Sequence, residues 1–279
     1  MRLDPRYGDR PPLLIDLPPL AGPHPVVQQR RRLQAHLEAL DDDAWRHPSR
    51  CDGWSAQDVV THLTSTNQFW DLSVQQGLAG EPTTFLASFD PVASPAELVA
   101  QHGHRTPAET LAAFSSSNQA LLATVVALDE VQHEVMAEAP PGHLPIRHVL
   151  DHALWDAWVH ERDIRLPQRD APMEDPNEVL TCLRYAAALG RAVSLAAGTG
   201  PGSAVVTATD LGERLVVEVL GDQVRVHGGD APPDAHHLGG RATELVEMLS
   251  RRDVGRPRPA AAEWLSAGLA QVFDELAAP

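Results

Sequence analysis

His148, His152, Asp156 and His160 recur at every fourth position of the stretch "RHVLDHALWDAWVHERDIR". Four helical residues drift only about 40° around the axis, so adjacent members of the series sit on consecutive turns and can share one ion. Asp156 and His160 form one such pair. His152 with Asp156, and His148 with His152, satisfy the same spacing, and the flanking apolar residues do not fix which turn faces inward. A further donor from another helix would complete the set, and His62 in "WSAQDVVTHL" is placed to supply it. It lies beside Val59 and Leu63, toward the face shared by Val59, Leu63, Thr66 and Trp70. Two imidazoles and one carboxylate suit zinc, or a six-coordinate ion such as iron or nickel, with positions left open. The competing reading is structural: an inward histidine hydrogen-bonded in the core, and a polar stripe that is only a solvated helix face.

The elements that must carry these residues are legible from caps and breakers. Ser55 and Asp58 form a capping box that starts a helix over about 55–76, stopped by Gly77 and Gly80. Further helices are expected over about 25–41, over 106–128 with Pro107 in the first turn, and over 145–165, ended by Pro167. The long link 77–105, with a short helical turn near "SPAELVAQ", joins the second helix to the third, which is the crossover of a four-helix bundle. Residues 1–24 are proline-rich and read as an extended arm, either packed on the body through Leu13, Leu14, Ile15, Leu17 and Leu20 or left as a tail. After "MEDPNEVLTCLRYAAALGRAVSLA", a helix, come "AVVTATD", "ERLVVEVLG" and "QVRVHGG", short β-branched segments expected as a meander. Two helices, "GRATELVEMLSRR" and "AAAEWLSAGLAQVFDEL", follow. The expected fold class is α+β: an arm (1–24), a four-helix bundle (25–170) and a small α+β domain with a short antiparallel sheet (171–279).

Bulk composition narrows the function classes. The 279 residues carry 22 basic and 38 acidic side chains, a formal charge of −16, which disfavours nucleic acid and anionic membranes as partners. No lysine is present, which removes Schiff-base chemistry and the phosphate-loop lysine. The only two cysteines, Cys51 and Cys182, do not make a disulfide framework. With no signal-like start and no long apolar run, a cytoplasmic location is expected. Cys51 is expected as an inert thiol, although its position before "DGW" could bring it to a pocket mouth, and Cys182 is given no role. Trp54, Trp155 and Trp158 are expected in the core.

Two stretches, "GWSAQDVVTHL" and "DAWVHERDIR", resemble the signatures of the mycothiol-dependent maleylpyruvate isomerase family, within the wider DinB-like (damage-inducible-like) metal-binding four-helix bundles. The likeness covers about 25–167 and continues more weakly over 175–276, where "GRATELVEMLSRRDVGR" resembles the accompanying α+β domain. The resemblance implies a divalent metal held by His62, Asp156 and His160. At the position of Asp156 the family pattern has glutamate, so the shorter aspartate would draw the ion toward its own helix, or a water would intervene. It also implies a mycothiol-like thiol cofactor. A thiol on the open coordination position would lose its proton to become a nucleophile toward a small electrophilic metabolite. The net reaction would be cis–trans isomerisation or S-transfer.

The same resemblance implies an arginine near the metal from the C-terminal domain. Arg241, Arg251, Arg252 and Arg256 are candidates, with Arg251 and Arg252 favoured as catalytic groups. His148 and His152 would border the pocket, His152 as a proton shuttle near neutral pH. The alternatives are a non-catalytic small-molecule-binding bundle and a metal-dependent hydrolase or biosynthetic enzyme that uses no thiol. A monomer or a homodimer is expected.

Overall fold

A computed structural model describes residues 4–195, 201–253 and 257–273. The chain opens with strand β1 (Leu13–Asp16) and then forms α1 (Val26–Glu38), the short α2 (Asp42–Arg46) and α3 (Ala56–Leu78). α4 (Ala93–Gln101) and α5 (Pro107–Val126) follow, then a hairpin of β2 (Met136–Ala139) and β3 (Gly142–Pro145), and α6 (Ile146–Arg165). Local chemistry sets the boundaries. Ser55 and Asp58 close a full capping box at α3, and Thr106 and Glu109 do the same at α5, where Pro107 occupies the first turn. Asp41 caps α2 by accepting from the Ala44 N–H at 2.8 Å. α1, α3, α5 and α6 are the four long bundle helices. The crossover between α3 and α5 contains α4 and a 3-10 turn at Phe85–Ser88. α2 and the β2–β3 hairpin were not anticipated from the sequence.

Beyond the bundle, α7 (Pro176–Ala192) packs on α6 with one side and on the sheet with the other. The sheet comprises β4 (Gly202–Ala208), β5 (Glu213–Leu220), β6 (Gln223–His227), β7 (His236–Gly240) and β1, in the order β1-β6-β5-β4-β7. β4, β5 and β6 are the expected antiparallel meander. The sheet as a whole is mixed, because β1 pairs parallel with β6 and β7 parallel with β4. The amino-terminal arm is therefore not a separate extension: Leu13 faces Val224 and is fully buried. α8 (Ala242–Leu249), α9 (Ala260–Leu265) and α10 (Ala267–Phe273) are the last elements among the described residues. A Cβ at Gly190 would overlap the Leu265 carbonyl, so glycine there allows α9 to lie directly on α7.

One continuous apolar core runs from Trp70 and Leu121 in the bundle through Leu183 and Ala187 of α7 to Val217 and Leu245. A second cluster, including Leu33, Trp45, Leu63, Phe114 and Ile164, fills the other end of the bundle. α6 is buried on nearly every side, so its charges need internal partners. Glu161, almost fully buried, accepts from Gln29 at 3.1 Å, Arg32 at 2.8 Å and Arg165 at 3.0 Å, and Arg32 also reaches Glu178 at 2.7 Å. This network fixes α6 against α1 and α7. No helix among the described residues is long and apolar enough to cross a membrane.

Candidate active site

α3, started by its capping box, packs side by side with α6, and their buried stripes bring His62 of α3 next to Asp156 and His160 of α6. His62 Nε2 lies 3.8 Å from Asp156 Oδ1, and His160 Nε2 lies 3.6 Å from the same oxygen. The two imidazole rings meet edge to face at 4.9 Å between centroids, and one donor atom from each of the three side chains lies within 4.8 Å of the others. Thr66 donates to the other Asp156 oxygen at 3.2 Å, leaving Oδ1 toward the histidines. Two nitrogens and one oxygen converging this closely fit a divalent cation, whose bonds to such atoms are about 2.0–2.2 Å.

The surroundings of His160 fit the same role. Its Nδ1–H donates to Asp163 Oδ2 at 3.0 Å, leaving Nε2 on the Asp156 side. A carboxylate behind a ligating imidazole fixes its tautomer and ring orientation. Asp163 is fully buried and is itself held by Arg252, at 3.1 Å to both oxygens, and by Arg50 at 3.0 Å. Burial opposes its charge, but Arg252, the His160 hydrogen bond and Arg50 keep its carboxyl well below the usual carboxylate range. Burial also opposes the charged form of His160, yet Asp163, Cys51 and Asp156 push it up to about 10, so a cation at Nε2 would replace a proton. For His62 burial prevails over Asp156 and lowers the imidazole below its ordinary value. Asp156 is held below the usual range by His62 and His160 despite its own burial.

The trio lies in the wall of a cavity of about 740 Å³. The crossover supplies one side, with Phe85, Leu86, Phe89 and Leu98. Trp70, Trp155 and Val159 come from the bundle, and Arg251, Arg252, Arg258 and Leu269 from the C-terminal part. Glu138 positions the crossover wall. Fully buried, it accepts from the Phe85 and Leu86 N–H groups at 2.9 and 2.8 Å, from Thr83 at 2.6 Å and from Tyr7 of the arm at 2.7 Å.

Of the α6 series, the structure groups Asp156 and His160 with His62. His152 lines the cavity one turn earlier, against Trp70 and Trp155, with Nδ1 2.7 Å from the Tyr185 hydroxyl. Burial lowers it to about 4, which favours the neutral imidazole. His148 turns away to Asp151 at 2.8 Å. Arg251, with φ of 56°, pairs with Glu263 at 3.1 Å and donates to Ser266 at 3.2 Å. Arg241 is exposed on Asp210 and Glu174, outside the cavity lining, and Arg256 lies outside the described residues.

Several site residues were missed or misjudged from sequence. Cys51 is half-buried in the cavity wall, 3.3 Å from Asp163 and 3.8 Å from His160 Nδ1. Trp155 and Trp158 are buried in the core as expected, and Trp54, half-buried, lines the cavity together with Trp155. Arg30 is fully buried behind the site, bonded to Asn67 and, at 2.9 Å, to the Ala153 carbonyl; burial lowers its guanidinium to about 10 while Asp156 opposes the shift. The capping box and the "DGW" turn flagged the Cys51–Ser55 stretch, and nothing in the local sequence separated Arg30 from its exposed neighbour Arg31.

A family profile described as the mycothiol maleylpyruvate isomerase N-terminal domain matches residues 26–165. Two solved structures share the fold. The crystal structure of the mycothiol-dependent maleylpyruvate isomerase aligns with a TM-score of 0.56 at 17% identity, over 82% of this chain and 89% of that one. A histidine-to-alanine mutant of that enzyme aligns with a TM-score of 0.57 at 16% identity, over 84% of this chain and 93% of that one. No curated protein sequence matches significantly.

Proposed function

The chain belongs to the mycothiol maleylpyruvate isomerase N-terminal domain family, and on that premise we propose that it is a metal- and thiol-dependent isomerase or S-transferase acting on a small electrophile. The observation that carries this reading is the convergence of His62, Asp156 and His160 on the wall of a roomy cavity. A divalent cation held by these three, with zinc as the first choice, would supply the Lewis acidity that turns a bound thiol into a thiolate at neutral pH.

The remaining chemistry belongs to the chain's own groups. Thr66 orients Asp156, and Asp163 orients His160. Arg252 and Arg50 hold Asp163, which makes Arg252 a positioning residue acting through that carboxylate. Arg251 braces the C-terminal wall on Glu263 and Ser266. His152, neutral and bonded to Tyr185, contributes a polar edge to a wall that is otherwise aromatic. The apolar walls keep bulk water from a reactive thiolate.

The test is metal analysis of the purified protein, followed by titration of the cobalt-substituted protein with mycothiol. One divalent ion per chain, lost in His62→Ala, and a thiolate-to-cobalt charge-transfer band support the reading. Metal without the band would favour a hydrolase, and absence of metal would favour a binding module.

A further inference from the structure

We propose that Trp70 and His152 form a subsite of two neutral N–H donors, separate from the His62–Asp156–His160 trio, that holds an acceptor oxygen of a ligand whose reacting end lies at the trio. The inference rests on the thiol-dependent reading for what that ligand is. The oxygen is of carbonyl, carboxylate or hydroxyl type, and either the thiol cofactor or the electrophile carries it.

The hydrogen bonds of His152 fix which of its nitrogens is the donor. Tyr185 is fully buried, and among the described residues its hydroxyl has one partner, His152 Nδ1 at 2.7 Å. A buried hydroxyl hydrogen needs an acceptor, so Tyr185 donates to Nδ1. The proton of the neutral ring is then on Nε2, which has no partner among the described residues. Burial, which lowers this imidazole to about 4, favours the same neutral form. Trp70 supplies the second donor. Its indole N–H is buried without an acceptor, whereas Trp155, on the same cavity, gives its N–H to Ser250 at 2.8 Å. Trp70 is 3% exposed and His152 6%, so bulk water does not serve either group. Their rings lie 4.8 Å apart between centroids, tilted by 52°.

The placement suits a ligand that spans the cavity. Trp70 follows His62 by eight residues on α3, and His152 precedes His160 by eight on α6. Both steps are about two turns, ~12 Å along the axis at 1.5 Å per residue. Trio and donor pair therefore sit at two levels of the α3–α6 seam, and all five side chains line the one cavity of about 740 Å³. A few polar groups set in a largely apolar pocket wall are what orient a bound ligand. Trp70 and His152 are positioning residues on this reading, acting at a distance from the thiolate.

The test is nuclear magnetic resonance of the full-length, zinc-loaded protein labelled with ¹⁵N in histidine and tryptophan. His152 signals are assigned by their loss in His152→Gln, and Trp70 signals by their loss in Trp70→Phe. Without ligand, His152 is expected as the Nε2–H tautomer; the Nδ1–H tautomer overturns the proposal. The probes are mycothiol, and levulinate as a small unreactive keto acid, the latter with and without mycothiol. Downfield movement of both N–H signals with mycothiol alone assigns the oxygen to the cofactor, and movement only with levulinate assigns it to the electrophile. Movement with neither overturns the proposal. The probe that moves them is expected to bind about tenfold more weakly to Trp70→Phe and to His152→Phe, the loss of one hydrogen bond. His152→Gln, whose amide can accept from Tyr185 and still donate, is expected to restore most of that affinity. Unchanged affinity in both phenylalanine variants overturns the proposal. Absence of the cobalt–thiol band, with both signals still moved by levulinate, removes the thiol chemistry and keeps the subsite. An intact band with both signals unmoved removes only the subsite.

Discussion

Asp163 accepts from His160 on the imidazole nitrogen that faces away from Asp156, with Nδ1 and Oδ2 3.0 Å apart. The bond decides which lone pair of His160 is presented to a metal, and Arg252 and Arg50 in turn fix the carboxylate. Asp163→Asn keeps the shape but removes the charge and can turn its amide toward Nδ1. Metal affinity is expected to fall by about 10–100-fold, read by competition against a chelator at fixed pH. Two partly buried guanidinium groups would also lose a counter-charge, so unfolding stability should fall, by less than the ~3–5 kcal/mol of a fully buried pair.

His152 sets an acid limit on stability. Burial lowers its folded pKa from 6.5 to about 4. Between those values the unfolded chain binds the proton and the folded one does not, so its contribution is present above about pH 6.5 and is lost as pH falls toward 4. The shift corresponds to about 3 kcal/mol. Denaturant unfolding of the wild type between pH 7 and pH 4 should show this loss. His152→Gln, which can still bond Tyr185, should flatten the slope; an unchanged slope would mean that another group governs it.

How much of this was legible depends on the range over which each interaction acts. Caps and four-residue spacings are local, so the long helices and the α6 series could be read directly, with Ser55, Asp58 and Pro107 marking two starts. The choice of Asp156 and His160 over the other pairs came from a resemblance, because spacing alone left the register open. The carboxylate behind His160 is also local, at i+3, but the groups that hold it, Arg50 and Arg252, lie 113 and 89 residues away in sequence. β1 escaped notice because proline flanks it and its partner β6 begins about 210 residues later. The β2–β3 hairpin has weak strand formers, and its Gly142 sits at φ of 132° with the Arg6 backbone pressed where a Cβ would stand.

Glu138 is the anchor of the cavity's crossover wall. It is fully buried and each oxygen receives two hydrogen bonds: Oε1 from Tyr7 and the Leu86 N–H, Oε2 from Thr83 and the Phe85 N–H. Glu138→Gln replaces one acceptor with a donor facing donors. Hydrogen bonds to a charged group contribute about 1.5–3 kcal/mol each, so a loss of about 3 kcal/mol in unfolding stability is expected. Hydrogen exchange at the Phe85 and Leu86 amides should accelerate more than exchange in α5. Tyr7→Phe, which removes one of the four donors and leaves the carboxylate, should show the same pattern with a smaller loss.

The arm contributes to stability through β1. Leu13 is fully buried beneath a parallel pairing with β6, and Leu13→Ala should cost about 2–5 kcal/mol from lost burial and the cavity left behind. Deleting residues 1–16 goes further, because it removes β1 and leaves the backbone edge of β6 unpaired. An uncovered edge strand recruits another strand. The truncated protein should therefore self-associate with rising concentration, seen by light scattering, while the Leu13→Ala protein, which keeps its backbone pairing, should lose stability without associating. Equal association of the two would show that the apolar side chain, and not the backbone edge, is what the arm protects.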